Sequence, residues 1–278
     1  MLIICNISLL SAQETTTATM ASNITTEPTY LTSTSTSFAK APVARKAVAA
    51  RKSYFRFGER VVALARFSTT DEQPYVLLSL HHNEYTASEG ARKFVSEQGG
   101  TYLELQNNNE RNIEFTLFDK DMTVDPDNIF TPKGRWNDLS ANLKKDHIIS
   151  QQIAEFSKFI LDEIPVDKTI VSLHNNTAGD ASIDQYLKGG VLYRAAHAAF
   201  RNPDMDASDF IITTDKAIFE ALKDKKVNVV LQNNMVKDDG SLSIYCGRSH
   251  RAYVSIETQT GHSAAQENLM AAVDEVLK

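Results

Sequence analysis

Only two cysteines, Cys5 and Cys246, occur in 278 residues, so no disulfide framework is available to the chain. Eleven glycines and seven prolines are too few for a collagen-like or low-complexity protein. No uninterrupted apolar run reaches the roughly 18 residues a membrane span needs, and no repeat with a period of about 20–50 residues recurs. Membrane-spanning bundles and solenoids are thereby excluded. Positive charge is also scarce in most of the chain. Residues 1–60 carry seven Lys/Arg against three Glu, which leaves 22 positive and 32 negative charges, a balance of −10, for the rest. A main domain of that sign does not attract a phosphate backbone, and no nucleic-acid partner is expected.

What remains, 42% apolar and 23% charged residues, is the make-up of a soluble globular chain. Residues 1–13 (MLIICNISLLSAQ) read as a signal peptide, with a short apolar stretch that ends in small residues but no basic start. The expectation is export to a periplasm or the extracellular space; the alternative is initiation at Met20 and a cytoplasmic protein. Residues 14–60 read as a leader. Its first part is half Ser and Thr, with too little apolar surface to offset the entropy of ordering. Its second part, from Lys40 to Arg60, is a basic, Ala-rich arm with some helical leaning.

Residues 61–278 then alternate between short strands and helices. The segments 75–80 (YVLLSL), 101–105, 113–118, 169–173, 210–213, 227–231, 242–245 and 252–256 have strand character. Helical spacing covers 86–98, 140–163 and 263–277, with Leu143, His147, Ile148, Ile153, Phe156, Phe159 and Ile160 along one stripe of the second and Ser263 as cap of the third. This predicts a single α/β domain with a central mixed, mostly parallel sheet flanked by helices on both faces.

Three predicted strands end in polar clusters: His81-His82-Asn83-Glu84, His174-Asn175-Asn176, and Glu257 followed by His262. Ligands of open α/β sheets gather at the carboxyl ends of strands, so these positions are the candidates for chemistry. His81 and Glu84 at a strand-to-helix turn, joined by His174, supply two imidazoles and one carboxylate, the donor set of a catalytic zinc with an open position. Glu257 is the candidate general base.

The segments SLHHNEYTASEGA, VDPDNIFTPKG, VSLHNNTAG and YVSIETQTGHSAAQ, in that order across about residues 74–277, resemble the zinc carboxypeptidase superfamily near its succinylglutamate desuccinylase and aspartoacylase branch. The resemblance implies one Zn2+ per chain held by His81, Glu84 and His174, with Glu257 as general base. It also marks a departure. Where that family carries Asn-Arg, this chain has Asp127-Asn128, so the arginine that anchors a substrate carboxylate is missing. Asn128 remains at the substrate-binding position. Lys120 falls near a second family arginine and is expected to steady the oxyanion, while Arg135, Arg111 or Arg248 could supply the missing anchor.

The function these readings imply is zinc-dependent hydrolysis of an amide bond in a peptide or N-acylated amino acid. The competing reading is a non-catalytic carboxypeptidase-like module that binds a peptide or glycan fragment.

Overall fold

The computed structural model describes residues 44–138, 147–177 and 179–278. The signal-like stretch, Met20, the Ser/Thr-rich leader and Leu143 lie outside the described residues. In chain order the elements are β1 (Ala49–Phe57), β2 (Arg60–Ser68), β3 (Tyr75–Ser79), α1 (Tyr85–Gln98), β4 (Thr101–Gln106), β5 (Ile113–Leu117) and β6 (Lys120–Val124). There follow α2 (Pro132–Asp138), α3 (His147–Asp162), β7 (Thr169–Asn176), β8 (Ala196–Phe200), β9 (Phe210–Thr213), α4 (Lys216–Asp224), β10 (Val229–Gln232), α5 (Leu242–Arg248), β11 (Tyr253–Gln259) and α6 (Ser263–Leu277).

Nine of the strands form one sheet in the order β1-β2-β4-β3-β7-β11-β9-β10-β8, and β5 pairs with β6 as a separate hairpin. The middle of the sheet, β4-β3-β7-β11, is parallel; outside it β9 and β10 also pair in parallel, and the remaining pairings are antiparallel. Parallel strands are covered on both faces, which is why they read as nearly continuous apolar runs. Alternate residues of each strand go to opposite sides. Tyr75, Leu77, Val171, Leu173, Val254 and Ile256 meet α1, α4 and α6 on one face. Val76, Leu78, Ile170 and Tyr253 share the other face with Ile149, Ile153, Phe156 and Ile160 of α3. The predicted architecture is thus present, a mixed sheet between two helical layers.

Several local expectations give way. The basic stretch assigned to the leader contains β1, which pairs with β2 along its whole length. Its alternating Phe55 and Phe57 stack among Phe156, Phe159 and Phe115, so a strand rather than a helix buries the aromatic side. The globular unit accordingly starts well before residue 61. Residues 242–245, read as a strand, form the first turn of α5, because Ser241 caps it by accepting from the Ile244 N–H. In α3 Ile153, Phe156 and Ile160 are buried as the predicted stripe requires, but in its first turn Ile149 is buried and Ile148 exposed. Ser263 is the first residue of α6 and His262 precedes it without a side-chain cap.

Candidate metal centre

Because β3, β7 and β11 run parallel, their carboxyl ends open on one edge. On the α3 side of β7 and β11 the apolar residues stop early. Ile170 is followed two residues on by Ser172 and then His174; Tyr253 is followed by Ser255 and then Glu257. His174 and Glu257 are register partners on adjacent strands, so their side chains stand side by side on the same face. Each is steadied from two residues below: Ser172 Oγ lies 2.8 Å from His174 Nε2, and Ser255 Oγ donates to Glu257 Oε1 at 3.1 Å.

The turn after β3 supplies the other two donors. Glu84 precedes the first residue of α1 yet makes no capping bond. Asn175 does that work from β7, its Oδ1 accepting from the Ala87 N–H at 2.8 Å, and Glu84 is thereby left to face the histidines. His81 Nδ1 lies 3.0 Å from Glu84 Oε1, and His174 Nδ1 lies 3.5 Å from Glu84 Oε2. All three side chains are buried, and one ligand atom from each fits within a 4.8 Å sphere of mutual separation.

The test of fit to a zinc ion is what the remaining atoms do. His81 Nε2 is taken by Asp125 Oδ1 at 2.8 Å and His174 Nε2 by Ser172, so both rings turn Nδ1 inward. Such outer partners fix the tautomer and orientation of metal-binding histidines. His81 Nδ1 and Glu84 Oε2 are shut from solvent and have no aligned hydrogen-bond partner. Polar atoms left unpartnered in this way are costly unless something else satisfies them, and two imidazole nitrogens with a carboxylate oxygen suit zinc.

Charge is balanced within the cluster. Burial would raise the Glu84 carboxyl, but the neighbouring His174 and His81 hold it far below the usual carboxylate range. Burial would lower His174, yet Glu257 and Glu84 beside it push it up to about 10. For His81 too the cost of burial is outweighed, by Asp125 and Glu84, and its pKa is raised. Burial, assisted by Glu84, raises Glu257, with His174 opposing.

A cavity of about 480 Å³ opens on these groups, lined among others by Arg111, Asp127, Asn176, Asp180 and Glu257. Of the cations considered in the sequence, Arg111 is the one that lines it. Its Nη1 donates to Glu84 Oε1 at 2.8 Å and its Nη2 is 4.0 Å from Asp125. His82 explains how Arg111 gets there. The ring faces away from His81 and its Nδ1 accepts from the Asn107 and Asn109 N–H groups, pinning the loop that carries Arg111.

Lys120, Asn128 and Arg135 do not line the cavity. Lys120 stands at the far end of β6, five residues before Asp125, which in an extended strand is about 16 Å. Asn128 is placed through its backbone: a Cβ on Gly240, which has φ +93°, would meet the Asn128 carbonyl at 2.1 Å. Arg135 donates to the Ile129 carbonyl at 2.9 Å and so braces the same loop. Arg248 is paired with Asp238. His262 contacts Asp209 at 3.0 Å, and Asp209 in turn accepts from the Gln259 N–H, so the pair braces the end of β11. Sequence reasoning had no signal for Arg111 over its rivals, because the β4–β5 loop that carries it is held by His82, a contact from a distant segment.

No protein-family model matches the sequence, and no curated protein matches it. Among solved structures the chain is similar to an aspartoacylase family protein from Mesorhizobium loti, at 17% identity and a TM-score of 0.45, covering 85% of this chain and 68% of that one. It is also similar to a succinylglutamate desuccinylase/aspartoacylase from Rhodobacter sphaeroides, at 11% identity and a TM-score of 0.42, covering 86% and 68%. These are likenesses of chain trace, and the assignment of the site rests on its own geometry.

Proposed function

We propose that the protein is a zinc-dependent hydrolase that cleaves an amide bond. The observation that carries this is the inward turn of both imidazoles onto Glu84 with Glu257 in register beside His174. A bound zinc supplies Lewis acidity at the carbonyl and the attacking water. His81, Glu84 and His174 hold it, with Asp125 and Ser172 fixing the rings. Glu257 takes a proton from the attacking water at its carboxylate and passes it to the leaving nitrogen. Arg111, which lines the cavity, would offer a guanidinium N–H to the oxygen that becomes negative, the role expected of Lys120.

The test is metal content and turnover of the purified protein beside Glu257→Gln. The expected result is about one zinc per chain in both, with the variant losing about 10²–10⁴-fold in kcat on any amide the wild type cleaves. Absence of zinc after incubation with the metal, or a Glu257→Gln enzyme of normal activity, refutes the proposal. Retained zinc with no turnover of any amide favours the binding module instead.

A further inference from the structure

The cavity beside the metal cluster is unusual in what it leaves unsatisfied. Setting aside Glu84 Oε2, two lining residues keep a solvent-shielded side-chain atom without a partner: Asp127 Oδ1 and Asn176 Oδ1. Both are acceptors. Asn176 cannot resolve this by turning its amide round, because its Nδ2 already donates to the Ser208 carbonyl at 3.0 Å. Asp127 is held by its backbone, whose N–H donates to Asp125 Oδ1 at 2.9 Å, and no lysine, arginine or histidine among the described residues forms an ion pair with its carboxylate. Asp180 and Glu257 add two more carboxylates to the wall.

The opposing cation is already engaged. Arg111 gives Nη1 to Glu84 and lies near Asp125, and the cations expected to steady the oxyanion (Lys120) or to anchor a substrate carboxylate (Arg135, Arg248) do not line the cavity. A carboxylate entering here would face Asp127, Asn176, Asp180 and Glu257, with the one lining guanidinium already shared with Glu84, whereas a protonated amine brings three donors and a positive charge. An unpaired acceptor shut away from water costs free energy that a donor on the ligand recovers.

We infer that the cavity selects an amide substrate carrying a protonated primary amine near the scissile bond, with Asp127 as counter-charge and Asn176 as a second acceptor. This rests on the hydrolase reading for the chemistry, though the binding preference stands apart from turnover. Burial also pushes the Asp127 carboxyl up, and an adjacent ammonium would reverse that.

The experiment uses three dipeptides of one sequence: free amine with amidated carboxyl end, acetylated amine with free acid, and both ends blocked. Their binding is measured by calorimetry on zinc-loaded full-length Glu257→Gln protein, alone and combined with Asp127→Asn or Asp127→Ala. Wild-type turnover of each is followed in parallel. The amine form is expected to bind at least about tenfold more tightly than the acid form, as one charge-assisted hydrogen bond provides. Either Asp127 substitution should bring the two within about threefold while zinc content stays unchanged. Equal or tighter binding of the acid form, a preference that survives both substitutions, or no binding of any dipeptide at millimolar concentration overturns the inference. Loss of zinc in the Asp127 variants overturns it too, by making Asp127 a metal ligand. Selective binding of the amine form without turnover of any dipeptide upholds this inference and counts against hydrolysis of such peptides.

Discussion

Leu173 and His174 are neighbours on β7 and are nearly equally buried, yet they serve opposite faces of the sheet. The Leu173 face stays apolar as β7 and β11 approach their ends, with Val171, Val254 and Ile256 packed beneath α1, α4 and α6. The His174 face changes character, from Ile170 and Tyr253 through Ser172 and Ser255 to His174 and Glu257. One face therefore supplies rigidity and the other carries the candidate metal cluster, at the same height on the same strands. The contrast has an energetic reading. Burying ionisable groups is costly unless they are paired, and here Glu84 is held between two imidazoles instead of being replaced by leucines. A metal-binding cluster needs its parts fixed to a fraction of an ångström, which strands anchored by an apolar reverse face provide.

Substituting the two neighbours separately is the strongest way to break this division. His174→Ala should leave a folded protein that binds no stoichiometric zinc, read by elemental analysis and circular dichroism. Leu173→Ala should cost about 2–5 kcal/mol in denaturant unfolding while still filling with zinc when the metal is in excess. If Leu173→Ala loses the metal without losing stability, the faces are not separate in the way described.

The next test sharpens the electrostatic half. With His174 held at about 10 in the metal-free protein, zinc must displace a proton from its ring at neutral pH. The apparent zinc affinity should therefore rise as pH rises, by about tenfold per unit for that one proton, and flatten above about pH 10. The same raised pKa means that the proton stabilises the metal-free fold fully below the ordinary histidine value of about 6.5, and that this contribution fades as pH climbs toward 10. Chelator competition between about pH 6 and 8.5 reads the slope, and a flat profile would mean that the His174 ring is already neutral in the metal-free protein.

How much of this was visible beforehand follows from the same geometry. The runs YVLLSL, TIVSL and AYVSI are buried on both sides, so their strand character and their polar ends stood out, and with them His81, Glu84, His174 and Glu257. Segments with one exposed face were harder. β1 mixes Arg51, Lys52 and Arg56 with its phenylalanines at the sheet edge, and its alternation was obscured by that charge. The LSIY run of α5 is too short for its period to separate helix from strand, and only the Ser241 cap distinguishes them. The unpartnered acceptors Asp127 and Asn176 depend on contacts from distant segments, which no local pattern encodes.

The smallest expected effect concerns the cations, where counting along the chain and folding it gave different answers. Lys120 is exposed on the β5–β6 hairpin and faces no part of the cavity wall, whereas Arg111, nine residues earlier, reaches Glu84 because His82 clamps its loop. Arg111→Ala should lower kcat by about 10²-fold, the loss typical of one oxyanion donor, with little change in zinc content. Lys120→Ala should stay within about twofold of wild type in kcat and within about 0.5 kcal/mol in stability, as exposed substitutions away from a site do. An equal loss in both variants would mean that the hairpin closes over the site during turnover, and the division between scaffold and chemistry would then extend beyond the two faces of the sheet.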